Sequence, residues 1–466
     1  MSSRLSGVSL ALALALAGPA LAGEGTDQRL SSLEQQNREI FDRLRKSETE
    51  NSALRDEVTR MRDEGARRLS AEIEQYLSAN SAEAAGEGGL TTKGGAIFEL
   101  YGFVRLDLYF DTARASNVII PFTVAAENGV QADSNNESFA LDARLTRIGF
   151  NFNFGQVGSS AVTAKLETDF ANFPAGVPES RETPRIRLAY INIEAEKWRL
   201  RMGQDWDIAS AMFPSANNET LMWNNGNLGD RRPMIAFTYK ASGKLEVTVA
   251  LGLTGAINNQ DLDAAIAAPG APPFTVNERD GFDTGIPHAQ VRAQYTGDSR
   301  VEGKQWVVAV MGIAGKLETD ALFGGENEWT FWAVGLDFKV PVSGKVFVMG
   351  EIWTGQALGD HRGNIGLVIN STTGKEIEGW GGWIEGQYKH DDRWTFLLGG
   401  SIDDPDNADV GGSSPNLNCS GYVGTRYQWS KNLVSAFDVI FWETQYAGTT
   451  GLGNMLRFNF WTSVNF

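Results

Sequence analysis

The chain contains little cysteine and little histidine, with one Cys and three His among 466 residues. A lone cysteine, Cys419, excludes an intramolecular disulfide, and we expect a small side chain there without chemistry of its own. The histidines His288, His361 and His390 stand far apart, and no His, Cys or Asp cluster has metal-ligand spacing. A Gly-x-Ser-x-Gly elbow is also missing. The sequence therefore predicts no cofactor, no metal site and no enzymatic activity.

Long apolar runs are missing beyond the first residues. Residues 1–22 read as a signal peptide, with Arg4, an apolar run from Leu10 to Ala17 and the small-residue site Ala20-Leu21-Ala22. After it, no stretch of about 18 apolar residues could cross a bilayer as a helix. The formal charge of −17 argues against a nucleic-acid partner, which needs a basic face. We expect an exported chain that does not span a membrane with helices.

Residues 26–78 have a heptad pattern. Apolar or core positions recur at spacings of three and four, at Leu33, Asn37, Ile40, Leu44, Ser47, Asn51, Leu54, Val58 and Met61. The polar members of this seam are typical of positions that fix register and oligomer number. The segment lacks the basic face of a membrane-surface helix. It is predicted to be a short α-helical coiled coil, followed by a flexible linker over 79–96.

From Ile97 to Phe466 the hydrophobic period becomes two. In 100–111 one face carries Leu100, Val104, Leu106, Leu108 and Phe110, and the other carries Arg105, Asp107 and Asp111. One such strand would also suit a soluble sandwich, so the number of strands is more informative. About 16 runs can be placed, at 97–111, 139–154, 160–171, 184–196, 197–206, 232–241, 244–254, 286–297, 304–315, 327–341, 344–354, 378–390, 393–402, 418–429, 432–445 and 454–466.

Connections between these runs alternate between short turns and long polar loops. Short links such as 241–243, 342–343 and 391–392 contrast with loops at about 112–138, 207–231, 255–285, 355–377 and 403–417. Outer-membrane barrels have this asymmetry, with the short turns on the periplasmic side. The last run ends at Phe466, with Leu456, Phe458, Phe460 and Val464 on the same face. Residues 97–466 are therefore predicted to be an all-β transmembrane barrel of about 16 antiparallel strands in the outer membrane of a Gram-negative bacterium.

A barrel this wide encloses water, so the predicted function is passive diffusion of small polar solutes. Arginines cluster on the first five runs, where a lipid-facing charge would cost about 2–4 kcal/mol. We expect Arg105, Arg147, Arg185, Arg187, Arg201 and Arg231 to line the pore and guide anions. Between Leu145 and Ile148 the alternation slips by one residue, which indicates a bulge and leaves the directions of Arg144 and Arg147 open. Ion pairs with Asp107, Asp111, Glu167, Asp169 and Glu194 are the alternative, in which the arginines only brace the wall.

The loop from Asp207 to Arg231 keeps apolar residues that an exposed loop would rarely retain, among them Met212, Phe213, Met222 and Trp223. It is predicted to fold into the channel, or alternatively to pack against a neighbouring subunit.

Several motifs resemble the DcaP-like porins. They are Leu100-Tyr101-Gly102-Phe103-Val104-Arg105, Arg144-Leu145-Thr146-Arg147-Ile148-Gly149-Phe150, Leu166-Glu167-Thr168-Asp169-Phe170, Arg185-Ile186-Arg187-Leu188-Ala189-Tyr190 and Arg201-Met202-Gly203-Gln204-Asp205-Trp206. The resemblance covers roughly residues 97–235. It implies a 16-stranded homotrimeric porin whose coiled coil extends into the periplasm and whose arginine-lined pores admit small anions such as dicarboxylates.

The expected partners are outer-membrane lipid, further copies of the chain and small anionic solutes, with peptidoglycan or another periplasmic contact through the coiled coil. Two other hypotheses stay open. In one, the heptad segment tethers a plugged structural barrel to the cell wall. In the other, the chain is a rim-active outer-membrane enzyme that uses His288 or His361.

Overall fold

The computed structural model describes residues 90–93, 95–117, 119–127, 136–171, 183–216, 221–255, 284–448 and 451–466, with single positions between 42 and 60. The chain divides into two units, Met1–Glu87 and Gly88–Phe466. The predicted signal peptide, coiled coil and most of the linker lie outside the described residues, apart from single helical positions such as Asp42 and Arg60. Among the described residues, no helix has the length and apolar character needed to cross a membrane.

The second unit is an antiparallel β-barrel. Its strands are β1 (Leu90–Thr91), β2 (Ile97–Asp111), β3 (Ser138–Asp142), β4 (Arg147–Val157), β5 (Ser160–Asp169), β6 (Arg185–Glu194), β7 (Trp198–Trp206), β8 (Arg231–Lys240), β9 (Leu245–Gly252), β10 (His288–Asp298), β11 (Gln305–Phe323), β12 (Glu326–Pro341), β13 (Val346–Gln356), β14 (Glu378–Lys389), β15 (Trp394–Pro405), β16 (Pro415–Gln428), β17 (Leu433–Tyr446) and β18 (Gly451–Asn465). Two short 3₁₀ helices, Gly359–His361 and Asn364–Gly366, lie between β13 and β14.

The barrel closes between its first and last long strands. β18 pairs with β2 from Arg457↔Asp111 to Asn465↔Phe103, and Phe466 exchanges two backbone hydrogen bonds with Gly102. β3 and β4 both pair with β2 and together form one interrupted strand, whereas β1 pairs only with the start of β2. The wall therefore has 16 strands, which confirms the predicted number. No open sheet edge remains in such a closed wall.

The apolar face of each strand points outward, and the polar face points into the barrel. On β2, Val104 and Leu106 are 59% and 50% exposed, whereas Arg105 and Asp107 are buried. This arrangement is the reverse of a soluble sandwich, which buries its apolar face. An outward apolar band around a polar interior is the arrangement of barrels that span outer membranes.

The two rims differ as the sequence predicted. One rim has short turns, such as 158–159, 195–197, 241–244, 342–345, 390–393 and 429–432. The other has long connections, such as 112–137, 207–230, 253–287 and 357–377. β2 begins at the short-turn rim and the chain ends there, because β18 runs antiparallel to β2.

Candidate functional site

Each of the six arginines predicted to line the pore lies beside a carboxylate. The pairs are Arg105–Asp107 at 2.5 Å, Arg147–Glu167 at 3.6 Å, Arg185–Asp169 at 2.7 Å, Arg187–Glu167 at 2.9 Å, Arg201–Asp205, and Arg231–Asp230 at 3.6 Å. The bracing contacts considered as the alternative are therefore present. Asp111 instead pairs with Arg457, and Glu194 pairs with Lys240.

In three of these six pairs the arginine is clearly more exposed than its carboxylate, whereas Arg187 is less exposed than Glu167 and Arg231 equals Asp230. The side chain of Arg185 is 24% exposed against 0% for Asp169, and that of Arg201 is 28% exposed against 12% for Asp205. The same order holds for Arg147 with Glu167, and for Arg426 with Asp438. In these four pairs the guanidinium group is thus the more exposed partner.

Two irregularities in the strand pairing determine where the side chains of these arginines point. The strand is interrupted at 143–146, where the amide of Thr146 donates to the carbonyl of Ala143, which confirms the predicted slip near Leu145. The second irregularity was missed by the sequence analysis. Glu167 is opposite Leu188 and Thr168 is opposite Ile186, so Arg187 is the extra residue of a bulge. The bulge places Arg187 within reach of both Glu167 and Asp169.

The loop between β7 and β8, residues 207–230, folds into the barrel and is called loop A. Its described residues 221–230 are almost all buried. Indole nitrogens on the inner wall hold it: Trp353 Nε1 donates to the carbonyl of Gly226 at 2.8 Å, and Trp383 Nε1 donates to Asn227 Oδ1 at 3.0 Å. The amide of Leu228 donates to Glu351 Oε1 at 2.9 Å. The predicted inward fold is confirmed, and the apolar residues of loop A pack within this chain.

A second connection, residues 357–377, also lies inside and is called loop B. The amide of Gly229 in loop A donates to the carbonyl of His361 at 2.6 Å, and the amide of Asn224 donates to that of Arg362 at 3.0 Å. An ion pair of 2.8 Å joins Arg362 to Asp230 of loop A. Loops A and B therefore form one unit across the lumen.

A third segment, residues 112–127, covers the wall beside β16–β18. The amide of Val124 donates to Thr444 Oγ1, and Tyr446 donates to the carbonyl of Val124. Arg457 Nη1 donates to the carbonyl of Ile119 at 3.1 Å. The side chain of Trp223 in loop A packs with Ile119, Ile120, Tyr109 and Leu221 of this region. Among the residues that the structure describes, these segments cover the inner wall beside β11–β18, and we call the opposite part of the lumen, toward β4–β10, the open side.

Backbone strain is concentrated in loops A and B. Among the described residues, all seven non-glycine positions with positive φ lie there: Leu221, Met222, Asn224, Ala357, Arg362, Asn364 and Ile365. Each such residue costs about 1–2 kcal/mol. Strain of this kind persists only where the surrounding contacts over-determine the conformation. The two loops are thus held as a fixed constriction.

Carboxylates of the opposite wall lie beneath the loops. Glu351 accepts from loop A as described, and Glu385 Oε2 accepts from the amide of Ser215 at 2.7 Å and from the hydroxyl of Tyr422 at 2.8 Å. Glu351, Glu385 and Asp403 are all buried. The sequence did not reveal this set, because the three acids lie on three separate strands. Glu351 and Glu385 each accept from a backbone amide of loop A, so both side chains face that loop.

The open side contains a cavity of about 260 Å³ beside β7–β10. It is lined by charged, hydroxyl and apolar groups, including Arg199, Arg201, Arg292, Thr238, Thr248, Ser210 and Phe213. Arg292 is held by Asp337 at 2.6 Å. Arg199 donates to Thr238 Oγ1 at 3.4 Å and forms no ion pair with any residue that the structure describes. Arg199 stands opposite Glu194 in the pairing of β6 with β7, and the ion pair of Glu194 itself is with Lys240.

Loops A and B meet the wall at a buried junction. Arg232 of β8 donates to Asp207 Oδ1 at 2.6 Å and Oδ2 at 2.9 Å, and to Asp360 Oδ2 at 2.6 Å. All three side chains are at most 1% exposed. Burial disfavours the Asp207 carboxylate, but the adjacent Arg232 guanidinium holds its pKa below the usual range. The junction also contains Gln290, His288 and His361. The two histidines therefore lie inside the barrel and not at its rim.

Comparison with known proteins shows which fold this architecture shares. No family model matches the chain, and no curated protein matches it. Solved structures do match. The outer membrane channel DcaP of Acinetobacter baumannii superimposes with a TM-score of 0.64 at 16% identity, covering 81% of this chain and 100% of that one. This chain has a porin fold.

Two further porins share the fold. An anion-selective porin from Comamonas acidovorans gives a TM-score of 0.51 at 11% identity, covering 80% of this chain and 100% of that one. Salmonella typhi OmpF, solved with daunomycin, gives 0.51 at 13% identity, covering 81% and 100%. The similarity to DcaP confirms, at the level of the fold, the resemblance seen in the sequence motifs.

Within the porin fold, loop A occupies the lumen as a constriction, and the arginines of β4–β7 face it across the open side. The positions Arg147, Arg185 and Arg201 are accessible there, whereas Arg105 and Arg187 are almost completely buried in their ion pairs. Arg231 is buried, and its guanidinium lies over the rings of Trp206, the last residue of β7, and Trp223 of loop A. Arg199 and Arg292, which were not among the predicted pore residues, line the same open side.

Proposed function

We propose that this protein is an outer-membrane porin that passes small polar solutes by diffusion and prefers small anions such as dicarboxylates. The observation that supports it is the exposure difference within three ion pairs of the open wall, where the guanidinium groups are more exposed than their carboxylate partners. A charged group in a low-dielectric wall raises the local concentration of ions of opposite sign.

The test is single-channel conductance in a planar bilayer with a salt gradient. Wild-type protein should give discrete conductance steps and a reversal potential shifted toward the anion. Replacing Arg201→Gln should reduce the anion preference, and Asp205→Asn should increase it, because the two changes remove opposite charges from one pair. Lys244→Gln is the matched control, since Lys244 pairs with Asp298 in an exposed turn outside the lumen. A cation preference in the wild-type channel would refute the arginine argument, and absence of conductance would refute the porin.

Self-association, as a homotrimer, is part of the proposal. Tyr and Trp side chains mark the interfacial girdles of membrane barrels. On the outer surface of β7–β16 they are numerous: Trp198, Tyr239, Tyr295, Trp306, Trp332, Trp380, Tyr388, Trp394, Tyr427 and Trp429. On the described outer surface of β18 and β2–β6 there is none, and Leu, Ile, Val and Phe take their place. We call this the bare sector.

The bare sector fits contact with another copy of the chain. Phe98, Phe150, Phe152 and Phe154 form a cluster there, with ring centroids 6.0–6.3 Å apart. A surface against protein needs no interfacial girdle, whereas a surface against lipid does. The homotrimer and the periplasmic position of the heptad segment remain proposals. The latter is supported by the short-turn rim, where the chain enters β2.

A further inference from the structure

His361 is a buried imidazole without adequate hydrogen bonds. It is 0% exposed, and its Nδ1 has no partner. Its Nε2 faces Nε2 of His288 at 3.5 Å, beyond the length of a good hydrogen bond. Nδ1 of His288, itself buried, has no partner either. Buried polar atoms are normally satisfied, so two adjacent buried imidazoles that each lack a partner for one nitrogen are an exception that needs a physical reason.

The surroundings of these nitrogens are those of a metal site. Ligand atoms of Asp207, His288 and His361 all lie within 4.8 Å of one another. The two imidazole rings meet edge to face, with an interplanar angle of 88°. Two imidazoles on one tetrahedral zinc ion, each at about 2.0–2.1 Å, have their nitrogens about 3.3 Å apart. The observed separation of 3.5 Å is close to that value.

We propose that Asp207, His288 and His361 form a binding site for a divalent transition metal of the zinc class, joining loop A, loop B and the wall. Imidazole nitrogen with one carboxylate suits Zn²⁺, Ni²⁺ or Cu²⁺, whereas Mg²⁺ and Ca²⁺ require oxygen ligands. Without a metal, the Gln290 amide nitrogen occupies the space, 2.5 Å from Asp207 Oδ1 and 2.9 Å from His288 Nε2. A half-turn of that amide directs its carbonyl oxygen to the site as a fourth ligand.

The charges around the site determine how strongly it binds a metal ion. Three aspartates, Asp207, Asp230 and Asp360, are balanced by Arg231, Arg232 and Arg362. Arg232 orients the Asp207 carboxylate, as outer-shell groups commonly do for metal ligands. Because the network is already neutral, we expect binding weaker than at thiolate zinc sites.

The test measures zinc bound to the full-length protein in detergent after treatment with a chelator and addition of ZnCl₂. Wild-type protein should retain one Zn²⁺ per chain after desalting, by elemental analysis, and its Tm should rise with Zn²⁺ but not with Mg²⁺. His288→Gln and His361→Gln should lose both effects. His390→Gln is the matched control, because His390 is exposed in the turn between β14 and β15 and its ring packs against Tyr388, far from the proposed site in the fold.

Two results would overturn the site: wild-type protein that retains no zinc, or His288→Gln protein that retains as much as wild type. If His361→Gln does not fold, X-ray absorption of the zinc-loaded wild type replaces it. Scattering from two imidazoles supports the site, and its absence refutes it. Conductance of the metal-free protein is measured separately, so failure of this proposal leaves the porin proposal intact.

Discussion

At the scale of single residues, the lumen depends on how each charge is buried. An exposed ion pair contributes little to stability, whereas removing one partner of a buried pair leaves an uncompensated charge. Arg232 is the clearest case, since it alone bridges Asp207 at the base of loop A and Asp360 of loop B. The same guanidinium also donates to the carbonyls of Leu253 and Asp360.

We predict that Arg232→Gln destabilises the protein by about 3–5 kcal/mol. The reason is that two buried carboxylates lose their shared cation. Lys244→Gln, which breaks an exposed pair, should cost less than about 1 kcal/mol. Chemical unfolding in detergent, followed by tryptophan fluorescence, measures both. Equal small effects would mean that the junction is not what holds loops A and B.

At the scale of elements, loop A is positioned by a close approach that only glycine permits. Gly226 has φ +97°, and a Cβ there would lie 2.2 Å from the carbonyl oxygen of Gly382 and 2.6 Å from that of Ile402. Both contacts are with wall backbone, which cannot move aside without breaking the strand pairing. Gly412 has φ +61° with open space around it.

We predict that Gly226→Ala displaces loop A from β14 and β15 and raises single-channel conductance, since the constriction leaves its place. Gly412→Ala has the same kind of backbone strain without the clash, so it should conduct as wild type does. Conductance in planar bilayers compares the two variants. An unchanged conductance for Gly226→Ala would show that loop A does not limit the pore.

The sequence predictions at this scale depended on the periodicity of hydrophobic residues. The run 97–111 coincides with β2, and the interruption near Leu145 was visible because one slipped residue moves every following side chain to the other face. The bulge at Arg187 left no such signal, because Arg185 and Arg187 keep a spacing of two. The sequence prediction also ended β11 too early, at residue 315 instead of Phe323, because the last residues of this strand lie beyond the apolar band.

At the scale of the whole molecule, the outer surface is divided into a girdled part and the bare sector. Leu106 in the bare sector and Val310 on β11 are matched, at 50% and 55% exposure. An arginine that faces lipid at mid-depth costs about 2–4 kcal/mol. We therefore expect Leu106→Arg and Val310→Arg to destabilise the barrel by similar amounts.

We predict that Leu106→Arg yields monomers, whereas Val310→Arg remains oligomeric. The expected difference follows if the bare sector contacts another copy and β11 contacts lipid. Light scattering of detergent-extracted protein gives the masses. Oligomers in the Leu106→Arg variant, or monomers in the wild type, would contradict the bare sector as an interface.

We also predict that deleting residues 26–78 leaves a conducting barrel, because the closure of β18 on β2 uses only residues 97–466. Crosslinking of the deleted and complete chains in detergent measures how much the heptad segment adds to self-association. Loss of conductance after the deletion would show that barrel assembly needs this segment.

The sequence by itself determined the barrel, the approximate number of its strands and the difference between the rims, whereas it left open whether loop A turns inward or packs against another subunit. These follow from local rules: a period of two, the length of turns and the cost of exposing or burying each side chain. The tertiary structure alone decided which arginine meets which carboxylate, where the lumen stays open and that His288 meets His361. His288 and His361 are 73 positions apart in the chain, and Arg457 and Asp111 are 346 positions apart. Such distances depend on strand register and loop conformation, which no short-range pattern encodes.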